Sequence, residues 1–263
     1  MFRRTLISGK TKSSVAFCAK PSGACIAFCI LANLFILCLF ISPSISQQEN
    51  FLAGYWAFEE GSGNDVKDRS GNGNDGTISG KVKFVEGQVG KALEFSPGSC
   101  VMIPGSKTLD DVKELTVAMW IKFHSLPTNW SHLIERDGSY GITVNVDKTF
   151  RYTYNSGAVW LETDFTVKKG TWYYIAMSWD KSGGIFYVDG AKVHEDKGTV
   201  TIPTAPLEIA QCANYHVDGI IDEVKIWNKT LTEAEINLAM KGGAAVKPTG
   251  KLAAMWSQIK TEE

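Results

Sequence analysis

Histidine is scarce in this 263-residue chain, and cysteine is nearly confined to its N-terminal end. The four histidines, His124, His132, His194 and His216, stand far apart with no serine or cysteine motif beside them. Beyond residue 46 no pair of histidines or cysteines falls at metal-motif spacing. Zinc-type sites and a nucleophilic triad are thereby excluded, and the histidines read as inert surface residues. The chain also lacks a basic excess. Residues 1–46 hold five basic residues and no acid, so 22 Lys and Arg face 28 Asp and Glu in the remainder, a formal charge of −6. An acidic surface of this kind is unsuited to nucleic acid or anionic lipid.

In place of acid, the start of the chain is apolar. Arg3, Arg4, Lys10, Lys12 and Lys20 precede an apolar run over 24–41, and Ser44 and Ser46 then occupy the small-residue positions that a signal peptidase reads. Residues 1–46 are expected to be a signal peptide cleaved after Ser46. The alternative is an uncleaved N-terminal membrane anchor, because a run of about 18 residues sits at the lower edge of a spanning length. Either way the bulk of the chain is exported, to be secreted or held at the cell surface, and membrane contact is expected only if the leader is kept. Of six cysteines, only Cys100 and Cys212 follow the leader. An exported domain can close them into one disulfide, contributing about 4 to 5 kcal/mol by loop entropy; otherwise they are two separate buried thiols.

From Phe51 to Trp227 there is no long helical period. Short β-rich runs are punctuated by Gly, Asn, Asp and Ser: 115–124, 140–146, 150–154 and 159–165. The run 171–179 is apolar on both phases, as suits a strand in the middle of a sandwich. Asp189-Gly190 between two further runs predicts a type I′ hairpin. The fold class expected is all-β, with residues 47–241 as the domain and 242–263 as a linker and short tail.

The stretch DGIIDEVKIWNKTLTEAEI, residues 218–236, predicts a closing strand and a capped helix. Alternation places Ile220, Asp222, Val224 and Ile226 toward a core, with Asp222 a polar intruder in need of a partner. Thr232 and Glu235 form a capping box, Leu231 and Ile236 a hydrophobic staple, and Gly242 ends the helix.

Three segments then carry a resemblance: YWAFEEGSGNDVKDRSGNGNDGTISG (55–80), GTWYYIAMSWDKSGGIFYVDGAKV (170–193) and the closing stretch. In this order they resemble the laminin G-like, concanavalin A-like lectin/glucanase jelly-roll family. The resemblance implies a two-sheet antiparallel jelly-roll sandwich of six or seven strands per sheet with a short C-terminal helix, an exported location, and a binding function. It also implies a structural calcium ion, whose matching positions here are Asp68, Asn72 within the 70–73 turn, and Asp222. The acids and a carbonyl-rich turn suit calcium. Equally, Asp68 makes an Asx turn and Asp222 accepts backbone N–H groups.

Related jelly rolls that hydrolyse glucans need two carboxylates about 5 to 9 Å apart, carried in a Glu-x-Asp-x-x-Glu pattern on one strand. That pattern is missing here, so no catalysis is expected. Ligand contact is expected from Trp130, Tyr140, Tyr152, Tyr154, Trp160, Glu162 and Tyr215, since aromatic faces cover the apolar side of a sugar ring and polar groups meet its hydroxyls. Tyr152 and Tyr154 share one face, Trp160 and Glu162 share one, and Arg151 lies opposite the tyrosines. Alternating aromatics on sandwich strands can instead be core. Two functions follow: a non-catalytic carbohydrate-binding module, or an adhesion or scaffold domain that binds an extracellular or surface protein.

Overall fold

Both residues of the Asp189-Gly190 turn sit at positive φ, 51° and 80°, as a type I′ hairpin requires. The computed structural model describes residues 51–110, 113–154, 160–197 and 205–242. The proposed leader, Val159 and the tail beyond Gly242 lie outside these residues. The described strands are β1 (Leu52–Trp56), β2 (Asp65–Val66), β3 (Gly76–Ser79), β4 (Val82–Glu86), β5 (Lys91–Phe95), β6 (Cys100–Ile103), β7 (Leu115–Phe123) and β8 (Ser131–Arg136). They continue with β9 (Tyr140–Val144), β10 (Thr149–Thr153), β11 (Leu161–Thr166), β12 (Trp172–Asp180), β13 (Gly183–Val188), β14 (Ala191–Asp196), β15 (Leu207–Ile209) and β16 (Gly219–Trp227). Two helices accompany them, α1 (Lys107–Asp110) and α2 (Glu233–Met240).

These strands form two antiparallel sheets, so the chain is an all-β sandwich of jelly-roll type. The first runs β14-β13-β12-β7-β16-β5-β4 with β1 also paired to β16; the second runs β11-β10-β9-β8-β15-β6-β3-β2. Each sheet holds eight strands rather than the six or seven expected, because short pieces such as β2 and β15 extend the second sheet where no long apolar run marks them. Between the sheets lies the main core, which includes Trp56, Phe95, Phe123, Phe150 and Phe186. The double apolar phase of β12 has a direct cause. Ile175, Met177 and Trp179 enter the main core, while Tyr174 and Ala176 pack outside the sheet with Leu231, Ile236 and Ala239, the last two from α2.

Helix α2 begins as its sequence demands. The Thr232 hydroxyl accepts the Glu235 amide at 3.3 Å, and a Glu235 carboxylate oxygen accepts the Thr232 amide at 2.8 Å. Leu231 and Ile236 are both buried, which completes the staple.

Strand β16 departs from simple alternation. Its register on β7 shifts between Asp222 and Lys225, and Glu223 takes φ 55°, the mark of a bulge. Ile221 faces the main core before the break, and Val224 and Ile226 face it after. Ile220 and Asp222 therefore leave the core phase expected of them. Asp222 is paired with Trp120 on the outer side of the first sheet.

Cys100 and Cys212 are joined in a disulfide with Cα atoms 5.0 Å apart across a sequence separation of 112. It ties β6 to the loop after β15. Replacing both, Cys100→Ser with Cys212→Ser, is expected to cost about 3 to 5 kcal/mol in urea unfolding; an unchanged midpoint would show that the loop is held by its other contacts alone.

Candidate functional site

The outer face of the second sheet collects aromatic rings because of one irregularity. In β8, register on β9 shifts between His132 and Ile134, so Leu133 and Ile134 both turn into the core and the polar residues flanking them both turn outward. His132 and Glu135 thus share the outer face and meet through Nδ1 and Oε2. Without the bulge, an odd spacing of three would separate them. Trp130, two residues before His132, points to the same side.

Around His132 the rings close up. Tyr215 stacks on it at 4.6 Å between centroids and 23° between planes. Trp160 lies at 5.1 Å from the imidazole and 5.8 Å from Trp130. Trp160 fits against the sheet because position 141 is glycine: a Cβ there would stand 3.1 Å from the indole Cη2. The loop carrying Tyr215 is fixed by the His132 amide donating to the Tyr215 carbonyl (2.9 Å) and the Ser131 hydroxyl donating to the His216 carbonyl (2.7 Å). Gln211 braces it further, accepting the Tyr215 amide at 3.0 Å and donating to Glu135 at 2.9 Å. The disulfide at Cys212 holds the same loop. His132 is buried under these rings, while Trp130, Trp160 and Tyr215 stay partly exposed.

Polar groups frame the rings. Arg151 lies 5.4 Å from the centre of the Trp130 ring and donates to Asp147 at 2.6 Å and Glu162 at 2.9 Å. Burial works against ionisation of Asp147, but the hydroxyl and amide of Thr149, with Arg151, hold its carboxyl down at about 2. A groove of about 280 Å³ continues from Trp130 between Leu126, Pro127, Asn214 and His216.

The expected ligand residues therefore divide. Trp130, Trp160, Glu162 and Tyr215 come together on one face. Tyr140, Tyr152 and Tyr154 do not: they are 1%, 0% and 3% exposed and point between the sheets, Tyr140 on the inward phase of β9 with Ile142 and Val144, Tyr152 and Tyr154 on the inward phase of β10 with Phe150. Tyr152 stacks on Phe186 at 5.3 Å, and Tyr154 donates to Asp196 at 2.7 Å. Gly184 leaves room for both, since a Cβ there would meet the Tyr154 ring at 2.7 Å and the Tyr152 ring at 3.1 Å. Burial pushes the Tyr140 hydroxyl up to about 12. The residues overlooked were His132, Glu135 and Gln211. The order His-Leu-Ile-Glu, two apolar residues between two polar ones inside an alternating strand, was the available signal.

The residues matched to a calcium ion do not form a cation cage. Asp68 spends both oxygens on donors: Oδ1 accepts the Tyr55 and Ser70 amides (3.0 and 2.9 Å), and Oδ2 accepts the Ser70 hydroxyl and the Asn74 amide (2.8 and 2.9 Å). Asn72 turns its NH2 group, not its oxygen, to the Leu52 and Ala53 carbonyls. Asp222 Oδ2 accepts the Gln88 and Val89 amides, each at 2.9 Å, while Oδ1 is buried without a hydrogen-bond partner. Asp222 Oδ1 and the Asn72 side-chain oxygen stay open, but both Asp68 oxygens are taken by donors, and the donor set as a whole does not fit the ion.

In sequence, residues 96–237, just over half of the chain, match the family described as the concanavalin A-like lectin/glucanases superfamily. The chain belongs to that superfamily. No curated protein matches it. Among solved structures it is similar to domain 4 of an extracellular GH43 arabinanase from Geobacillus stearothermophilus, in complex with arabinotriose, at 20% identity and a TM-score of 0.55, covering 71% of this chain and 97% of that one. It is also similar to the binding domain of botulinum neurotoxin DC in complex with rat synaptotagmin II, at 12% identity and a TM-score of 0.63, covering 74% and 52%. Trypanosoma rangeli sialidase follows at 16% identity and 0.58, covering 72% and 32%. The chain thus spans about half of the neurotoxin domain and a third of the sialidase. At these identities the likeness is one of fold.

Burial pushes the Asp222 carboxyl up to about 7, with the Glu223 charge adding to the rise against the Val89 and Gln88 amides. Because the folded value lies above the unfolded one, Asp222 supports folding fully below about pH 4 and loses that contribution as pH rises through 7. Asp222→Asn, whose carbonyl can still accept both amides, is expected to remove about 2 to 4 kcal/mol of this loss between about pH 5 and pH 9. Urea midpoints across that range check it, and parallel profiles for the two proteins would contradict it.

Proposed function

We propose that this domain is an exported, non-catalytic module that binds carbohydrate on the outer face of its second sheet. The observation that carries the reading is the partly exposed ring cluster of Trp130, Trp160 and Tyr215, held rigid around His132 and framed by hydrogen-bonding side chains. Such rings offer flat apolar area with little entropy to lose, and the surrounding groups can meet hydroxyls. Its carboxylates are already engaged: Glu162 with Arg151, Glu135 with His132 and Gln211. Neither of these two is free to serve as an acid and base pair astride a glycosidic bond. The arabinotriose complex of the similar arabinanase domain agrees with a sugar ligand. The neurotoxin domain's complex with synaptotagmin supports the second reading, a surface protein as partner. A calcium ion is not part of this proposal, since both Asp68 oxygens are committed to other donors.

Trp160→Ala is expected to weaken oligosaccharide binding about ten-fold or more with near-ultraviolet circular dichroism otherwise unchanged, while Tyr152→Phe, a core change, leaves binding as it was. Titration calorimetry in the presence of chelator checks both. Silence across a glycan array, or binding that survives Trp160→Ala, would favour the protein-partner reading.

A further inference from the structure

We infer that the aromatic face selects uncharged glycans and turns away acidic ones such as uronate- or sialic-acid-bearing chains; this rests on the carbohydrate reading above. Recognition of a ligand carboxylate calls for a free guanidinium, ammonium or cluster of backbone N–H groups. Arg151 is the one cation in contact with the ring cluster among the described residues, and it is not free. Asp147 and Glu162 both accept from its Nη2, at 2.6 and 2.9 Å, so two carboxylates offset its one charge, and it lies against Trp130. The Lys148 ammonium is turned onto the Pro127 carbonyl.

Acids dominate the rest of the face. Outward positions of β11 carry Glu162 and Asp164, both exposed. Glu135 of β8 is paired across the sheet with Glu208 of β15, and Leu207 and Ile209 on either side of Glu208 point into the core, which turns Glu208 outward as well. Against five carboxylates, Glu135, Asp147, Glu162, Asp164 and Glu208, stand one guanidinium that two of them already neutralise and the Lys148 ammonium on the Pro127 carbonyl. A ligand carboxylate laid over Trp130 and Trp160 would lose its water and meet like charge. A neutral pyranose or furanose chain loses nothing of the kind, and its hydroxyls can donate to Glu162 and Glu135.

The test is titration calorimetry on the full chain with matched oligosaccharide pairs: galactan against galacturonan fragments, lactose against sialyllactose, and arabinan fragments alone. At least one neutral chain is expected to bind, with its acidic counterpart weaker by about ten-fold or more at low salt and closer at high salt. The double variant Asp147→Asn with Glu162→Gln, which releases Arg151, is expected to raise affinity for the acidic member about ten-fold. An acidic chain bound as tightly as its neutral partner, and lost in Trp160→Ala, would overturn the charge selection and leave the carbohydrate reading standing. No binding to any member would overturn both.

Discussion

Strand β16 sets the terms for the whole sandwich. All nine of its residues are buried, and it pairs with β7 on one side and with β5 and then β1 on the other. A strand with no solvent on either face must satisfy two environments, and a strict period of two would force one polar phase into the main core. The break at Glu223 resolves this at a backbone cost of about 1 to 3 kcal/mol. After it, Val224 and Ile226 return to the core, and Lys225 and Glu223 form a buried pair at 2.6 Å, with the Tyr55 hydroxyl on the same carboxylate at 2.7 Å. Burial and the Glu223 charge push the Tyr55 hydroxyl far above its ordinary value. Tyr55 belongs to β1, so the opening strand is locked to the closing one by charge as well as by ladder bonds. Buried pairs of this kind add little net stability but penalise any other register strongly.

The candidate site inherits its geometry from the same strand. The loop that presents Tyr215 leads directly into β16, and the His124 amide donates to the Asp218 carbonyl at 2.9 Å at that junction. Across the sandwich, the second bulge, at Leu133, turns His132 and Glu135 outward, and the glycine at 141 clears the ground under Trp160. Rings held in this way are preorganised, so a ligand need not order them. The first sheet's outer face has partly exposed rings too, Trp120 and Trp172 at 6.5 Å in edge contact, with the Lys122 ammonium 4.8 Å from the Trp172 ring, and Trp120 packs against the cluster that α2 covers.

Turn chemistry and capping were legible in the sequence because they are local. Asp189-Gly190, the Thr232–Glu235 box and the apolar central strand all behave as their residues imply. The pairing of Cys100 with Cys212 was one of two open readings. Legibility failed where the period of two broke. Nothing in GIIDEVKIW announces that a glutamate will adopt a left-handed φ, so Asp222 was placed on the wrong side. The same assumption made His132 a stray residue and hid its partner Glu135. Tyr140, Tyr152 and Tyr154 were misjudged for another reason: an aromatic on a sandwich strand fits either face, and the choice depends on the opposite sheet, where Gly184 makes the space for Tyr152 and Tyr154. Trp130, Trp160, Glu162 and Tyr215 share one outer face because they flank strands or share a phase with exposed acids.

The central claim is that ligand meets the rings of Trp130 and Trp160 on the second sheet. Indole N–H resonances report on it most directly. During titration with a neutral oligosaccharide, the Trp130 and Trp160 signals are expected to shift while those of the core residues Trp56, Trp179 and Trp227 stay in place. Shifts at Trp120 and Trp172 with Trp130 and Trp160 unmoved would contradict the account and transfer the binding face to the first sheet.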